Sequence, residues 1–134
     1  MKRILLGFCM ASAVSCALFD SGTPWESGPY KLQWIDDPDS VSLLRYQSSD
    51  RKLCTELITS QVFSVGINDQ YLVAKQHPGG DRRITNFYVV IRSSEKSRRF
   101  DPKTLLGPMN ATEFAVRSKE LNLPQFNKTL AALE

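Results

Sequence analysis

The side chains that could do chemistry are few in this chain, and none has the neighbours that a known catalytic motif requires. His77 is the single histidine, and it precedes Pro78 in a turn-forming stretch. A hydrolytic triad needs a nucleophile and an orienting acid around its histidine, and a zinc site needs several His or Cys ligands. We therefore expect no catalytic role for His77, and we expect His77→Gln to leave folding almost unchanged.

Three aspartates, Asp36, Asp37 and Asp39, supply carboxylate oxygens of the kind that calcium prefers. A calcium-binding loop also needs a glycine and a later bidentate glutamate in fixed register, and these are missing from the segment. With Pro38 among them, the three aspartates are typical of a turn. The sequence therefore predicts no metal site, no cofactor and no catalytic residue.

The elements that must position these side chains follow from hydrophobic periodicity. Alternating apolar residues predict a hairpin over 30–46, and further strands within 53–67, 71–75 and 85–92. The last of these segments is the most apolar and the richest in β-branched and aromatic residues, so we expect it at the centre of the sheet.

A helix is predicted near the C-terminus. Asn110 stands three residues before Glu113, which is an Asx form of the capping box, and Pro124 sets the end of the helix after Leu123. The predicted fold class is α+β, with about five mostly antiparallel strands in a meander and the C-terminal helix packed on one face.

The central strand and the helix should share a core. Phe87, Val89 and Ile91 alternate along the strand and should all point to one side of it. We expect them to be buried against the helix through Phe114 and Leu121.

Residues 1–15 have the composition of an export signal. Lys2 and Arg3 form a positive n-region, and residues 4–14 form an apolar run of about eleven residues. A helix that spans the bilayer core of about 30 Å needs roughly 20 apolar residues, so the run is too short to serve as a membrane span.

The end of this segment, Ala13-Val14-Ser15-Cys16, resembles the lipobox of bacterial lipoproteins, although Ala13 stands where that family prefers Leu, Val or Ile. The resemblance implies that the signal is removed before Cys16 and that Cys16 is acylated, which anchors the protein to a membrane. Ordinary signal-peptidase cleavage after Ala13 is the main alternative, and a retained signal anchor is a third.

These boundaries give a signal peptide at 1–15, a lipid-anchored tether at 16–29 and a single β-rich α+β domain at 30–134. In lipoproteins of enterobacteria, an Asp directly after the lipidated cysteine acts as the inner-membrane retention signal. This chain has Ala17 at that position. We therefore expect the outer membrane, with the domain facing the periplasm.

The two processing routes give different states for Cys54. If Cys16 is lipidated and Cys9 is discarded, Cys54 is the one remaining thiol. If cleavage falls after Ala13, Cys16 and Cys54 could pair in an oxidising compartment.

The charge balance argues against nucleic acid as a partner. Removal of Lys2 and Arg3 lowers the 17 basic residues to 15, against 14 acidic residues. A nucleic-acid-binding domain typically has an isoelectric point above about 9 and basic residues gathered on one face. Short basic runs at 82–83 and 96–99 are typical of solvated loops.

Five segments in the last three quarters of the chain carry a further resemblance: 66–78, 86–90, 106–108, 113–114 and 121–124. Through them the chain loosely resembles the small exported proteins of unknown function found in Gram-negative bacteria. The resemblance implies the fold and the location but no activity.

Two classes of function fit these observations. The first is a membrane-anchored exported lipoprotein that acts as a non-enzymatic binding or envelope-associated protein, of the inhibitor or immunity type, with a protein partner in the cell envelope. The second is a small periplasmic hydrolase or redox protein that uses His77 or Cys54. The first class needs no special constellation of residues, and it is the one that the sequence favours.

Overall fold

Two antiparallel β-sheets dominate the computed structural model, which describes residues 20–95 and 99–134. The first sheet has four strands that pair in chain order: β1 (Ser21–Ser27), β2 (Tyr30–Ile35), β3 (Ser42–Tyr46) and β4 (Cys54–Ile58). The second sheet has β5 (Val62–Ile67), β6 (Tyr71–Gln76), β7 (Asn86–Ile91) and β8 (Leu105–Met109) in chain order, with β9 (Lys128–Thr129) beside β5.

One α-helix follows the strands in the described part of the chain. Helix α1 (Ala111–Leu121) begins at the predicted capping box: the Asn110 side chain accepts from the Glu113 N–H at 2.8 Å, and Glu113 accepts from the Asn110 N–H at 2.9 Å. It ends at Asn122, whose backbone is left-handed, two residues before Pro124. Short 3₁₀ turns lie at Pro78–Gly80, Arg92–Ser94, Pro102–Thr104 and Ala131–Leu133.

The main core lies between the two sheets. Alternate residues of β2 and β3 point inward from the first sheet, and alternate residues of β6 and β7 point inward from the second. Fully buried apolar side chains from both sheets meet there, including Leu32, Leu43, Val65, Leu72 and Val90.

A second core lies on the other face of the second sheet. Val73 and Val89 are fully buried there, with Leu123, and Phe87 packs beside Phe114 and Leu121 of the helix region. The predicted packing against the helix is confirmed for Phe87 and Val89, which share the face opposite to Tyr88 and Val90. Ile91, predicted with them, is half-buried and belongs to neither core. The molecule therefore has three layers, with the helix on the outer face of the second sheet.

A glycine allows the C-terminal segment to reach the second sheet. A Cβ atom at Gly66 would lie 1.9 Å from the backbone oxygen of Gln125, a distance that no side chain tolerates. The close approach places the following residues beside β5, where Lys128 is opposite Val65 and Thr129 is opposite Ser64.

The predicted α+β class with a C-terminal helix is confirmed, but the strand count and the single meander are wrong. The described residues hold nine strands in two sheets. Residues 21–27, expected in the tether, form β1, the stretch at 53–67 divides into β4 and β5, and β8 and β9 were not predicted. The segment at 85–92 is an interior strand as predicted, yet the middle strand of its sheet is β6. After the helix, Lys128–Thr129 form β9 and Ala131–Leu133 form a 3₁₀ turn.

Candidate functional site

Cys16, the predicted lipid-attachment residue, lies outside the described residues, as does the predicted signal peptide at 1–15. Strand β1 begins at Ser21 and pairs with β2. Within residues 20–95 and 99–134, the helices lack the length and the apolar character that a membrane-spanning segment needs.

His77 lies at the end of β6 and is 4 % exposed. Its ring stacks on Phe63 with centroids 4.0 Å apart, and its backbone N–H and C=O both pair with Gln61. Nδ1 lies 2.9 Å from the carbonyl oxygen of Ile84, so Nδ1 carries the proton and donates, because a carbonyl oxygen only accepts. These contacts make the imidazole a packed part of the core, and on this ground we expect His77→Gln to lower stability, which differs from the expectation drawn from the sequence.

A buried amide network borders His77. The Gln76 side chain donates to the backbone oxygen of Thr59 at 3.0 Å and accepts from Asn86 at 3.1 Å and from the Tyr88 hydroxyl at 3.2 Å. These bonds hold the ends of β6 and β7 together at the border of the core. The network accounts for why polar residues interrupt the apolar strands here.

Cys54 is disulfide-bonded at the start of β4, and the other cysteine of the bond lies outside the described residues. A lipid on Cys16 and a Cys16–Cys54 disulfide exclude each other, because both would use the same sulfur atom. The redox alternative would need the Cys54 thiol in its reduced form.

The aspartates at 36–39 form a turn, as predicted. Asp37 accepts from the backbone N–H of Asp39 at 3.0 Å and from the Ser40 hydroxyl at 3.1 Å. In the part of the chain that the structure describes, no three His, Cys, Asp or Glu side chains are grouped so that they could hold a metal ion.

A buried charged cluster that the sequence did not indicate closes one end of the sandwich. Arg45 is 2 % exposed and donates to the backbone oxygen of Glu95 at 3.1 Å, while Arg92 forms an ion pair with the Glu95 carboxylate. The guanidinium of Arg92 lies 5.9 Å from the centre of the Tyr30 ring. The Tyr30 hydroxyl is buried close to the Glu95 carboxylate. Burial, followed by the negative charge of Glu95, raises the pKa of Tyr30 above the usual range.

The cluster holds the start of the segment that links β7 to β8. The Arg92 N–H donates to the backbone oxygen of Gln70 at 2.9 Å, and its guanidinium donates to the backbone oxygen of Asn68. Residue 92 is thereby fixed to the turn between β5 and β6. Near the far end of the segment, the Asp101 side chain accepts from the Lys103 N–H at 3.0 Å and caps the 3₁₀ turn at Pro102–Thr104.

A groove of about 580 Å³ lies between β4 and this linking segment. Leu57, Phe100 and Leu105 are its apolar wall residues, and Glu56 and Arg99 are its charged residues. Gln47, Thr55 and Pro102 complete the lining. We call this feature the β4 groove.

The sequence did not single out the β4 groove, because its residues are far apart along the chain. Phe100 was one signal that could have indicated it, since it is a lone aromatic residue in a charged connector, directly before the Asp101-Pro102 turn. The groove is assembled only when the edge of the first sheet meets the link between β7 and β8.

Comparison with known proteins gives a single finding. Residues 27–130 match a family described as a protein of unknown function (DUF3997). No curated protein and no solved structure matches the chain.

Proposed function

The chain belongs to the DUF3997 family of proteins of unknown function, so the family indicates no activity. From the residues of the chain itself, we propose that it is a lipid-anchored exported binding protein without enzymatic activity. In this proposal Cys16 carries the lipid, so its sulfur is not the partner of Cys54 in the mature protein, and the β4 groove contacts a protein partner in the cell envelope. The observation that carries the proposal is the β4 groove, in which an apolar wall and two charged residues face the same space.

The groove has the chemistry of a protein-binding site. A partner that covers the apolar surface of Leu57, Phe100 and Leu105 removes it from water, which lowers the free energy of the complex. The charges of Glu56 and Arg99 give orientation and selectivity more than affinity. Neither charge forms an ion pair with another described residue.

The state of His77 supports binding over the hydrolase alternative. A general base must come within hydrogen-bond distance of the proton that it removes. The His77 ring is buried under Phe63, and its Nδ1 is already bonded to Ile84. A substrate could reach the ring only if this part of the core opened.

The position of β1 supports a site close to the membrane. Four residues separate Cys16 from Ser21, where β1 begins. At about 3.5 Å per residue the first sheet starts at most about 18 Å from the lipidated cysteine. A protein anchored in this way would meet partners at or near the membrane surface, with the outer membrane as the proposed location.

The anchor is tested by cell fractionation. Cys16→Ser should remove the protein from the membrane fraction and abolish metabolic labelling with palmitate, because the thioether forms on the Cys16 sulfur. Cys54→Ser is the matched control and should keep both properties. Membrane retention and labelling that persist in Cys16→Ser would contradict the anchor, and a sucrose gradient separates inner from outer membrane.

The binding site is tested by photo-crosslinking in the bacterium that encodes the protein. A photoreactive phenylalanine at Leu57, inside the groove, should give a discrete adduct with a partner protein. The same residue at Val116, which is 55 % exposed on α1, is the control and should not. Equal adducts at both positions, or none at Leu57, would remove the groove as the binding site.

A further inference from the structure

We propose that one buried water molecule is bound between the side chains of His77 and Gln61 and donates a hydrogen bond to each of them. We call this position the His77–Gln61 site. It lies where β5 begins and β6 ends, and the proposal is independent of the β4 groove and of the lipid anchor. Buried water molecules typically bond to polar groups that would otherwise lack a partner.

The site is defined by two buried hydrogen-bond acceptors. His77 is 4 % exposed and Gln61 is 8 % exposed. Within residues 20–95 and 99–134, no group donates a hydrogen bond to His77 Nε2 or to Gln61 Oε1. A buried acceptor that has lost its water and gained no donor destabilises the fold, and such acceptors are rare in native proteins. Two of them on neighbouring residues therefore point to a shared donor.

The existing hydrogen bonds fix which atoms are the acceptors. His77 Nδ1 donates to the Ile84 oxygen at 2.9 Å, so the neutral ring carries its proton on Nδ1 and a lone pair on Nε2. The Gln61 amide nitrogen donates to the backbone oxygen of Asp39 at 2.8 Å, which leaves Oε1 at the other end of the amide. A rotation of either side chain would break one of these bonds. Both acceptors are therefore held in place.

The backbone places the two side chains beside each other. The Gln61 N–H donates to the His77 oxygen at 3.1 Å, and the His77 N–H donates to the Gln61 oxygen at 2.8 Å. This reciprocal pair is the hydrogen-bonded pair of an antiparallel ladder. Side chains of residues directly opposite each other share one face, with Cβ atoms about 5 Å apart.

Water is the donor that fits this pair. Two acceptors cannot bond to each other, but a water molecule has two protons and can donate one to each. A metal ion would need further ligands, and no three His, Cys, Asp or Glu side chains of the described residues are grouped to hold one. The bound water joins the turn at Asp39, the start of β5 and the end of β6 in one hydrogen-bonded network.

NMR of the wild-type full chain is the first test. The imidazole Hδ2 proton lies next to Nε2 and across the ring from the exchangeable proton on Nδ1. A nuclear Overhauser effect between water and Hδ2 therefore reports a long-lived water molecule at Nε2. Long-range proton–nitrogen correlation spectra show which ring nitrogen carries a proton. We expect the Overhauser effect at Hδ2, a protonated Nδ1 and an unprotonated Nε2 at neutral pH.

A substitution gives a second test. Gln61→Met keeps the length of the side chain and removes its acceptor. Relaxation dispersion of isotope-labelled water counts long-lived internal water molecules, and the count should fall by one in this variant. Tyr88→Phe is the matched control, because it removes a hydroxyl that already donates to Gln76, and the count should not change. Thermal unfolding checks that both variants fold.

Three outcomes would overturn the proposal. The first is a proton on Nε2 at neutral pH, because the ring would then donate to Gln61 directly. The second is a folded wild-type protein without the Overhauser effect at Hδ2. The third is an unchanged water count in a folded Gln61→Met variant. If that variant does not fold, the wild-type spectra still decide, and a crystal structure with a water oxygen within about 3.2 Å of both Nε2 and Oε1 would support the site directly.

Discussion

His77 and Tyr30 are buried polar side chains, and their contacts indicate that both stabilise the fold. The His77 ring is packed on Phe63 and bonded to Ile84, and the Tyr30 hydroxyl is enclosed near Glu95 and Arg92. Each side chain is held by neighbours from distant parts of the chain. Substitution of His77 should therefore lower stability at neutral pH, and substitution of Tyr30 should change how stability depends on alkaline pH.

His77→Gln should lower the free energy of unfolding by about 2 kcal/mol. Glutamine cannot stack on Phe63 as the imidazole does. Its longer and more flexible side chain also forces the neighbouring amide network to rearrange. Urea unfolding followed by circular dichroism measures the loss. His77→Asn is the matched control, because its amide can still donate to the Ile84 oxygen, so it reports the stacking contribution. Wild-type stability in both variants would show that the ring is not packed.

Tyr30→Phe should change the stability at pH 7 by less than about 1 kcal/mol, because removal of the buried hydroxyl relieves its desolvation and also removes its interaction with Glu95. The same variant should change the response to alkaline pH. The pKa of Tyr30 is raised in the folded state, so its contribution to stability is present below the unfolded value of about 10 and is lost as pH rises above it. The variant should lose less stability than the wild type between pH 9 and pH 11. A steeper loss in the variant would contradict the assigned burial.

At the scale of elements, strand β7 joins two cores. Its alternate residues face the sandwich on one side and α1 on the other, as shown by Val90 and Val89, which are both fully buried. The helix contributes Phe114 to a group of three aromatic rings with Phe87 and Phe126. The helix is therefore attached through aromatic packing, since none of its own residues is fully buried.

Phe87→Ala should lower the free energy of unfolding by about 3 kcal/mol, the lower end of the range for a large aromatic residue, because Phe87 is half-buried. The ring stacks on Phe114 with centroids 4.8 Å apart. Val116→Ala is the control on the exposed side of α1 and should change stability by less than about 0.5 kcal/mol. Guanidinium unfolding compares the two variants, and a loss below about 1 kcal/mol for Phe87→Ala would show that the helix face is not a core.

At the scale of the whole molecule, the two sheets should unfold together. Trp25 and Trp34 report on the first sheet, while α1 packs on the far side of the second sheet. Because buried residues of both sheets form one core, tryptophan fluorescence and the helical circular dichroism signal should have the same urea midpoint. Two separate midpoints would show that the sheets are independent units.

The sequence by itself determined the local structure of this protein. Alternating apolar residues located the hairpin at 30–46 and strands β6 and β7, and the capping box located the start of α1. These signals are local, because side-chain periodicity and cap bonds involve residues a few positions apart.

Only the tertiary structure decided the features that depend on contacts between distant residues. These are the second sheet, the return of β9 to β5 past Gly66, the burial of His77, the cluster around Tyr30 and the β4 groove. Strand β1 was missed because Gly22 and Pro24 hide its alternation. No local pattern records which strands will become neighbours, since pairing and burial depend on how the layers pack together.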